Sequence, residues 1–225
     1  MKIYLDTGNV EEIEKAAKSG ILDGVTTNPT LIAKEGRDFK TVVKEIVKIM
    51  KKYGSKNFTV SAEVTDTSSA DIIVKKAREL AKIDSHIMVK IPLIPAGIEA
   101  VSVLSKEKIK TNVTLCFSAN QALLAAKAGA TVVSPFIGRI DDEGYNGLEL
   151  ISDIRTIFDN YNFKTEILSA SIRSTSHVLE CAKIGSDIVT IPTAIFTKLY
   201  YNPLTDIGLK KFESDWENYQ KKLQN

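Results

Sequence analysis

A chain of 225 residues, 44% apolar and 26% charged, has enough apolar mass for one large core and the balance of an ordinary water-soluble domain. Its formal charge of +2 argues against a dedicated nucleic-acid surface, and no apolar run approaches the roughly twenty residues that a membrane-crossing helix needs. Two cysteines (Cys116, Cys181) without a CxxC and two dispersed histidines (His86, His177) suggest neither a disulfide framework nor a metal site, and imply a reducing, cytoplasmic setting.

The N-terminus, Met1–Asp6, reads as a first strand rather than a signal peptide. Along the chain, strand patterns fall at Ile3–Asp6, Gly24–Thr26, Phe58–Glu63, Ile87–Lys90, Thr111–Leu115, Thr131–Ser134, Thr165–Ser169 and Asp187–Ile191. Helical patterns separate them: Val10–Lys18, Phe39–Lys52, Ser69–Lys82, Ile98–Ser105, Ala119–Ala128, Gly147–Asn160 and Ser176–Ile184. Strictly alternating elements imply parallel strands joined by crossover helices. Eight strands suggest an α/β fold, a closed (β/α)8 barrel, more than an open doubly wound sheet. Three helix ends share one device, a glycine placed for a left-handed cap just before the next strand: Gly20, Gly129 and Gly185. No Pro/Gly/Ser-rich linker divides residues 1–225, so one domain is expected. At its end, Leu209, Phe212, Trp216, Tyr219 and Leu223 recur at intervals of 3 and 4. This is the seam of a C-terminal helix over 204–223 that packs on the barrel or on a neighbouring subunit.

In such a barrel the chemistry sits where the strands end, and the expected ends carry an unusual set of polar groups. Lys90 closes the apolar run Ile87-Met88-Val89-Lys90-Ile91-Pro92, where loss of hydration favours the free amine that attacks carbonyls. Many strand-end lysines simply point to solvent. Asp6 is either a mouth carboxylate or a cap for the first helix, a task open to Thr7 and Asn9 as well. Thr26 and Asn28 end the second strand, and Asn28 before Pro29 also reads as a helix cap. Glu63 sits in an apolar run, where an unpaired carboxylate is costly; it is an ion-pair partner or a catalytic group. Asn112 and Thr114, two apart, share a strand face. Ser134 precedes Pro135 and could be a turn residue. Arg139 and Arg173, with Ser171, lie just beyond late strand ends, where barrels of this kind hold phosphate and guanidinium forks suit it. Neither GxGxxG nor a Walker loop is present. Cys116 has no histidine partner and reads as core.

Together these stretches resemble the transaldolase family in its small single-barrel form, with the related fructose-6-phosphate aldolases. The likeness is carried by Leu5-Asp6-Thr7, Gly24-Val25-Thr26-Thr27-Asn28-Pro29-Thr30, Val89-Lys90-Ile91-Pro92, Gln121–Ala126, Val133-Ser134-Pro135-Phe136-Ile137-Gly138-Arg139 and Ala170-Ser171-Ile172-Arg173, which span almost the whole chain. The resemblance implies a Schiff-base mechanism with neither metal nor cofactor. Lys90 would be the nucleophile, Asp6 would take the proton from the substrate hydroxyl, and Glu63 and Thr114 would hold a proton-shuttling water. Asn28, Asn112 and Ser134 would bind hydroxyls of the dihydroxyacetone unit, and Arg139, Ser171 and Arg173 the phosphate. Glu63, Phe136 and Asn112 resemble the transaldolase branch; the aldolase branch favours glutamine and tyrosine at the first two places. The family further implies sugar-phosphate substrates of the pentose phosphate pathway and a pentamer or decamer. Two alternatives remain open: an aldolase releasing dihydroxyacetone, and a phosphate-binding barrel without Schiff-base chemistry. The segment Asp66–Ala70 has no assigned role.

Overall fold

The computed structural model describes residues 1–223. In chain order the elements are β1 (Lys2–Asp6), α1 (Val10–Ala17), β2 (Gly24–Thr26), α2 (Pro29–Lys34), α3 (Phe39–Tyr53), β3 (Thr59–Glu63), α4 (Ala70–Ala81), β4 (Ile87–Pro92), α5 (Pro95–Lys106) and β5 (Thr111–Cys116). They continue with α6 (Ala119–Lys127), β6 (Val132–Pro135), α7 (Ile137–Asp142), α8 (Gly147–Asn160), β7 (Glu166–Ser169), α9 (Thr175–Ile184), β8 (Ile188–Ile191), α10 (Thr193–Lys198) and α11 (Pro203–Leu223). The eight strands are all parallel and close in sequence order, β8 pairing back onto β1. The fold is the expected (β/α)8 barrel, with strand limits within one or two residues of the sequence reading.

Period-two alternation builds two apolar bodies from the same strands. Outward side chains such as Leu5, Val25, Val60, Val89, Val113, Val133 and Val189 pack against the helices. Inward ones, Tyr4, Met88, Val132, Leu168 and Ile188, plug the barrel, each buried chain stabilising by about 1.5–3 kcal/mol. Gly24 is required beside that plug, since a Cβ there would lie 2.6 Å from the Tyr4 ring. Burial pushes the Tyr4 hydroxyl up to about 12, and the group is satisfied by Thr59 Oγ1 at 2.7 Å. Two residues further along the same inward faces stand Asp6, Thr26, Glu63, Lys90, Thr114, Ser134 and Thr190. The apolar plug is the floor on which this polar layer rests.

The helices follow their sequence signals. In α3 the stripe Val42, Val43, Ile46, Val47 and Met50 is buried, Asp38 caps the start, and Lys51 and Lys52 close the last turn. The three glycines expected at helix ends have φ of 76°, 87° and 96°. Segment 66–70 is an Asx turn, Asp66 accepting from the Ser68 amide and hydroxyl, followed by Ser69 capping α4. Two helices absent from the sequence reading appear, α7 and α10, and the cap read at Asn28-Pro29 opens a third, α2; each is six residues long. Helix α5 starts at Pro95 rather than Ile98. Helix α11 covers the expected seam, and none of its side chains is buried by the barrel.

Candidate active site

The register aligns the polar groups before any side chain is considered. Glu63 of β3 is opposite Lys90 of β4, Lys90 is opposite Asn112 of β5, and Asp6 of β1 is opposite Thr26 of β2. Lys90 is 6% exposed, its Nζ 3.2 Å from Glu63 Oε2 and donating to the Thr27 carbonyl at 3.2 Å. The amine expected to be stripped of hydration is thus compensated by a carboxylate and a carbonyl, and Glu63 is its ion-pair partner. Beside them the Thr114 Oγ1 is buried without a hydrogen-bond partner. An orphaned hydroxyl next to a carboxylate and an amine is a place for a water or a substrate oxygen.

Asp6 is free for chemistry because Asn9, not Asp6, caps α1 by accepting from the Glu12 amide. Its Oδ1 accepts from Thr26 Oγ1 at 2.7 Å. Burial pushes the carboxyl above its ordinary value, against the opposing pull of the Thr26 hydrogen bond and the Lys90 charge. Asn28 does cap α2, its Oδ1 accepting from the Leu31 amide, while the same residue lines the cavity. Ser134 is a strand residue rather than a turn residue, buried in β6.

Asp6, Thr26, Asn28, Lys90, Ser134, Phe136, Arg139, Ser171 and Arg173 line one cavity of about 440 Å³ at the strand C-terminal ends. Glu63 and Thr114 line the contiguous hollow that shares Lys90, Asn28, Phe136 and Arg139 with it. Asn112 does not reach either wall. It is fully buried beneath them, donating to Ser61 Oγ at 3.2 Å and accepting from Ser134 Oγ at 2.5 Å. One of its two N–H groups and one carbonyl lone pair are engaged in this way, so Asn112 supports Ser134 and keeps a second N–H and a second lone pair. Arg139 is not in a loop but on α7, its guanidinium 5.1 Å from the Phe136 ring. Arg173 is exposed and tied to Asp142 at 2.9 Å. Ser171 has φ of 59°, and Gly138 donates from its amide to the Ser171 carbonyl.

Lys34 and Thr190 also line the cavity and escaped the sequence reading. Lys34 sits at the end of a helix too short to show a period, and Thr190 lies within the apolar run Ile188–Ile191, where a β-branched threonine is an ordinary strand residue. Cys116 is core, burial pushing its thiol up to about 12. Another hollow of about 400 Å³ touches Glu63 from behind, but its walls include Ile32, Phe39 and Leu80 and exclude Lys90.

The sequence pattern of the Transaldolase/Fructose-6-phosphate aldolase family matches residues 3–223. A probable transaldolase of Kosmotoga olearia is 56% identical over 221 residues, covering 98% of each chain. One of Lactiplantibacillus plantarum is 54% identical over 220 residues, again covering 98% of each. Among solved structures, a thiamine phosphate pyrophosphorylase from Pyrococcus furiosus superposes with a TM-score of 0.57 over 86% of both chains; at 17% identity it shows the shared barrel alone. The family pattern, the relatives and the closed barrel agree: the chain belongs to the transaldolase/fructose-6-phosphate aldolase family.

Proposed function

We propose that this chain transfers a dihydroxyacetone unit between sugar phosphates, from fructose 6-phosphate or sedoheptulose 7-phosphate to glyceraldehyde 3-phosphate or erythrose 4-phosphate, through a Schiff base on Lys90. The observation that carries the reading is one buried amine set between a carboxylate at 3.2 Å and a mouth holding a second carboxylate and two guanidinium groups. Glu63 accepts a proton from Lys90, and the free amine adds to the ketone carbon. Loss of water, assisted at Glu63 and Thr114, gives the iminium, whose nitrogen takes up the electron pair of the breaking carbon–carbon bond. Asp6 removes the proton from the hydroxyl that becomes the departing aldehyde. The resulting enamine adds to the acceptor aldehyde, Asp6 returns the proton, and hydrolysis frees Lys90. Asn28, Asn112 and Ser134 hold hydroxyls of the three-carbon unit. Arg139, Ser171 and Arg173 hold the phosphate, and because Asp142 offsets part of the Arg173 charge, Lys34 on the same wall supplies further positive charge.

Borohydride reduction in the presence of fructose 6-phosphate is expected to add a three-carbon or six-carbon unit to Lys90 in wild type, detected by mass spectrometry, and none in Lys90→Met. An unmodified Lys90 removes the Schiff-base reading. Product formed from fructose 6-phosphate as efficiently without erythrose 4-phosphate as with it would make the chain an aldolase instead.

The reading extends to setting and assembly. No helix among the described residues is long and apolar enough to cross a membrane, and both thiols are free and buried, which supports a cytoplasmic enzyme. We place α11 against a second copy of this chain in a homo-oligomer, a pentamer or decamer. The support is its row of exposed side chains, Leu209, Phe212, Trp216 and Tyr219 among them, each more than half exposed.

A further inference from the structure

We infer that Thr190 is a positioning residue for Asp6, acting through Thr26: a two-hydroxyl chain fixes one carboxylate oxygen and reserves the other for substrate. This rests on the reading of Asp6 as the base. Thr190 of β8 points into the mouth beside Thr26 of β2; they are 3% and 2% exposed. Their Oγ1 atoms are 2.6 Å apart, and Thr26 Oγ1 is also 2.7 Å from Asp6 Oδ1.

Proton counting sets the direction of the chain. An ionised carboxylate only accepts, and a threonine hydroxyl has one proton to give. Thr26 must spend that proton on Asp6 Oδ1, so the short contact to Thr190 can be satisfied only if Thr190 donates to Thr26. The accepted bond polarises the Thr26 hydroxyl and strengthens what it gives to Asp6. It also pins the Thr26 side chain from the strand on the far side of β1, so Asp6 is flanked and held by both neighbours in the sheet. Among the described residues no hydrogen bond reaches Asp6 Oδ2, and Asp6 lines the cavity. Oδ2 is therefore the oxygen that meets the substrate hydroxyl. When it takes the proton, Thr26 can go on donating to Oδ1 and the chain need not reverse.

Removing the Thr190 hydroxyl should thus weaken the base without emptying the substrate site. The experiment compares Thr190→Val, Thr190→Cys and Thr190→Ser in full-length enzyme. Thr190→Val is expected to lower kcat about tenfold, a fraction of the 10²–10⁴ usual for a whole acid–base group. The KM for fructose 6-phosphate should stay within about twofold, because the hydroxyl stabilises the transition state rather than binding substrate. Borohydride trapping of Lys90 should persist. The acid limb of the cleavage rate should move to higher pH, since Asp6 loses part of the bond that holds its proton off. The charged groups around Asp6, namely Lys90 with Glu63 behind it, Lys34, Arg139 and Arg173, are unchanged in these variants, which assigns the shift to the hydroxyl chain. Thr190→Ser should restore both rate and limb, and Thr190→Cys, a weak donor, should fall between. In a Thr26→Val background Thr190→Val should cost nothing further. A wild-type kcat and acid limb in Thr190→Val, or in Thr190→Cys should the valine variant not fold, overturns the inference. So does a serine variant as impaired as the valine one, because a retained hydroxyl would then fail to restore the base. Asp6→Asn separates the two levels: if it keeps wild-type cleavage the base assignment itself fails, whereas a dead Asp6→Asn with an unaffected Thr190→Val leaves the base and removes only the role of Thr190.

Discussion

Burial pushes the Asp6 carboxyl above its ordinary value of 3.8, and neither the Thr26 hydrogen bond nor the Lys90 charge fully offsets it. A folded value above the unfolded one means that the native chain binds this proton more tightly. Ionisation then costs stability, beginning as pH rises past 3.8 and reaching its full size once pH exceeds the folded value. Below 3.8 both states are protonated and the cost vanishes. Asp6→Asn is accordingly expected to raise the melting temperature at neutral pH. The gain should close as pH falls towards 3.8, while cleavage activity is lost throughout. Thermal melts of the two proteins across pH test this; equal melting temperatures at neutral pH would mean that Asp6 carries no stored cost. Lys90 is not left alone by the change, because Glu63 remains 3.2 Å away. Asp6 and Lys90 were legible as candidates from strand-end position alone. What the sequence could not show is the pairing around them: Thr26 and Thr190 are 164 residues apart, and their contact exists only because the barrel closes.

At the scale of elements, legibility followed length. Strands were readable because their outward faces are apolar without exception in places such as Val89, Val133 and Val189. Long helices such as α3 declare an apolar stripe over four turns. Helices α2, α7 and α10 do not: six residues give less than two turns, too little for a period to emerge. Yet two of these carry or flank the site, Lys34 on α2 and Arg139 on α7. The placement of α7 depends on Gly138, where a Cβ would lie 2.2 Å from the Ser171 carbonyl oxygen and 2.6 Å from Arg173 Nε. Both neighbours belong to the loop proposed to hold phosphate, and the nearer is backbone, so the loop must move. Gly138→Ala is expected to raise the KM for fructose 6-phosphate about tenfold, equivalent to roughly 1.4 kcal/mol of lost binding. Borohydride trapping with unphosphorylated dihydroxyacetone, which makes no use of that loop, should be retained. A KM unchanged by the extra methyl would separate Ser171 and Arg173 from phosphate binding. Asn112 lies on the inward face that the sequence indicates, and its partners Ser61 and Ser134, on β3 and β6, come together with it only in the folded barrel.

For the molecule as a whole, the barrel buries its own apolar surface and α11 does not. Its seam is spaced for contact, but Leu209, Phe212, Trp216, Tyr219 and Leu223 are between 51% and 70% exposed, and the Trp216 and Tyr219 rings lie 5.6 Å apart on the helix surface. A row of this kind along one helix is larger than an isolated chain ordinarily leaves in water, and tryptophan and tyrosine are the residues that dominate interface energy. If a second copy covers it, the helix is held by association and not by its own barrel, and the two can be separated. Deleting residues 203–225 is expected to leave barrel folding intact, since no α11 side chain is buried, while shifting the assembly from a multiple of 24.8 kDa towards the monomer in light scattering. Trp216 is the only tryptophan in the chain, so its emission reports the same event without deletion: blue-shifted in the assembly and moving to the red on dilution. Trp216→Ala should weaken association by about 2 kcal/mol or more, the scale of an interface hot spot. A full-length chain that scatters as a monomer, with Trp216 emission already at the solvent-exposed limit and unmoved by concentration, would leave α11 without a partner of its own kind.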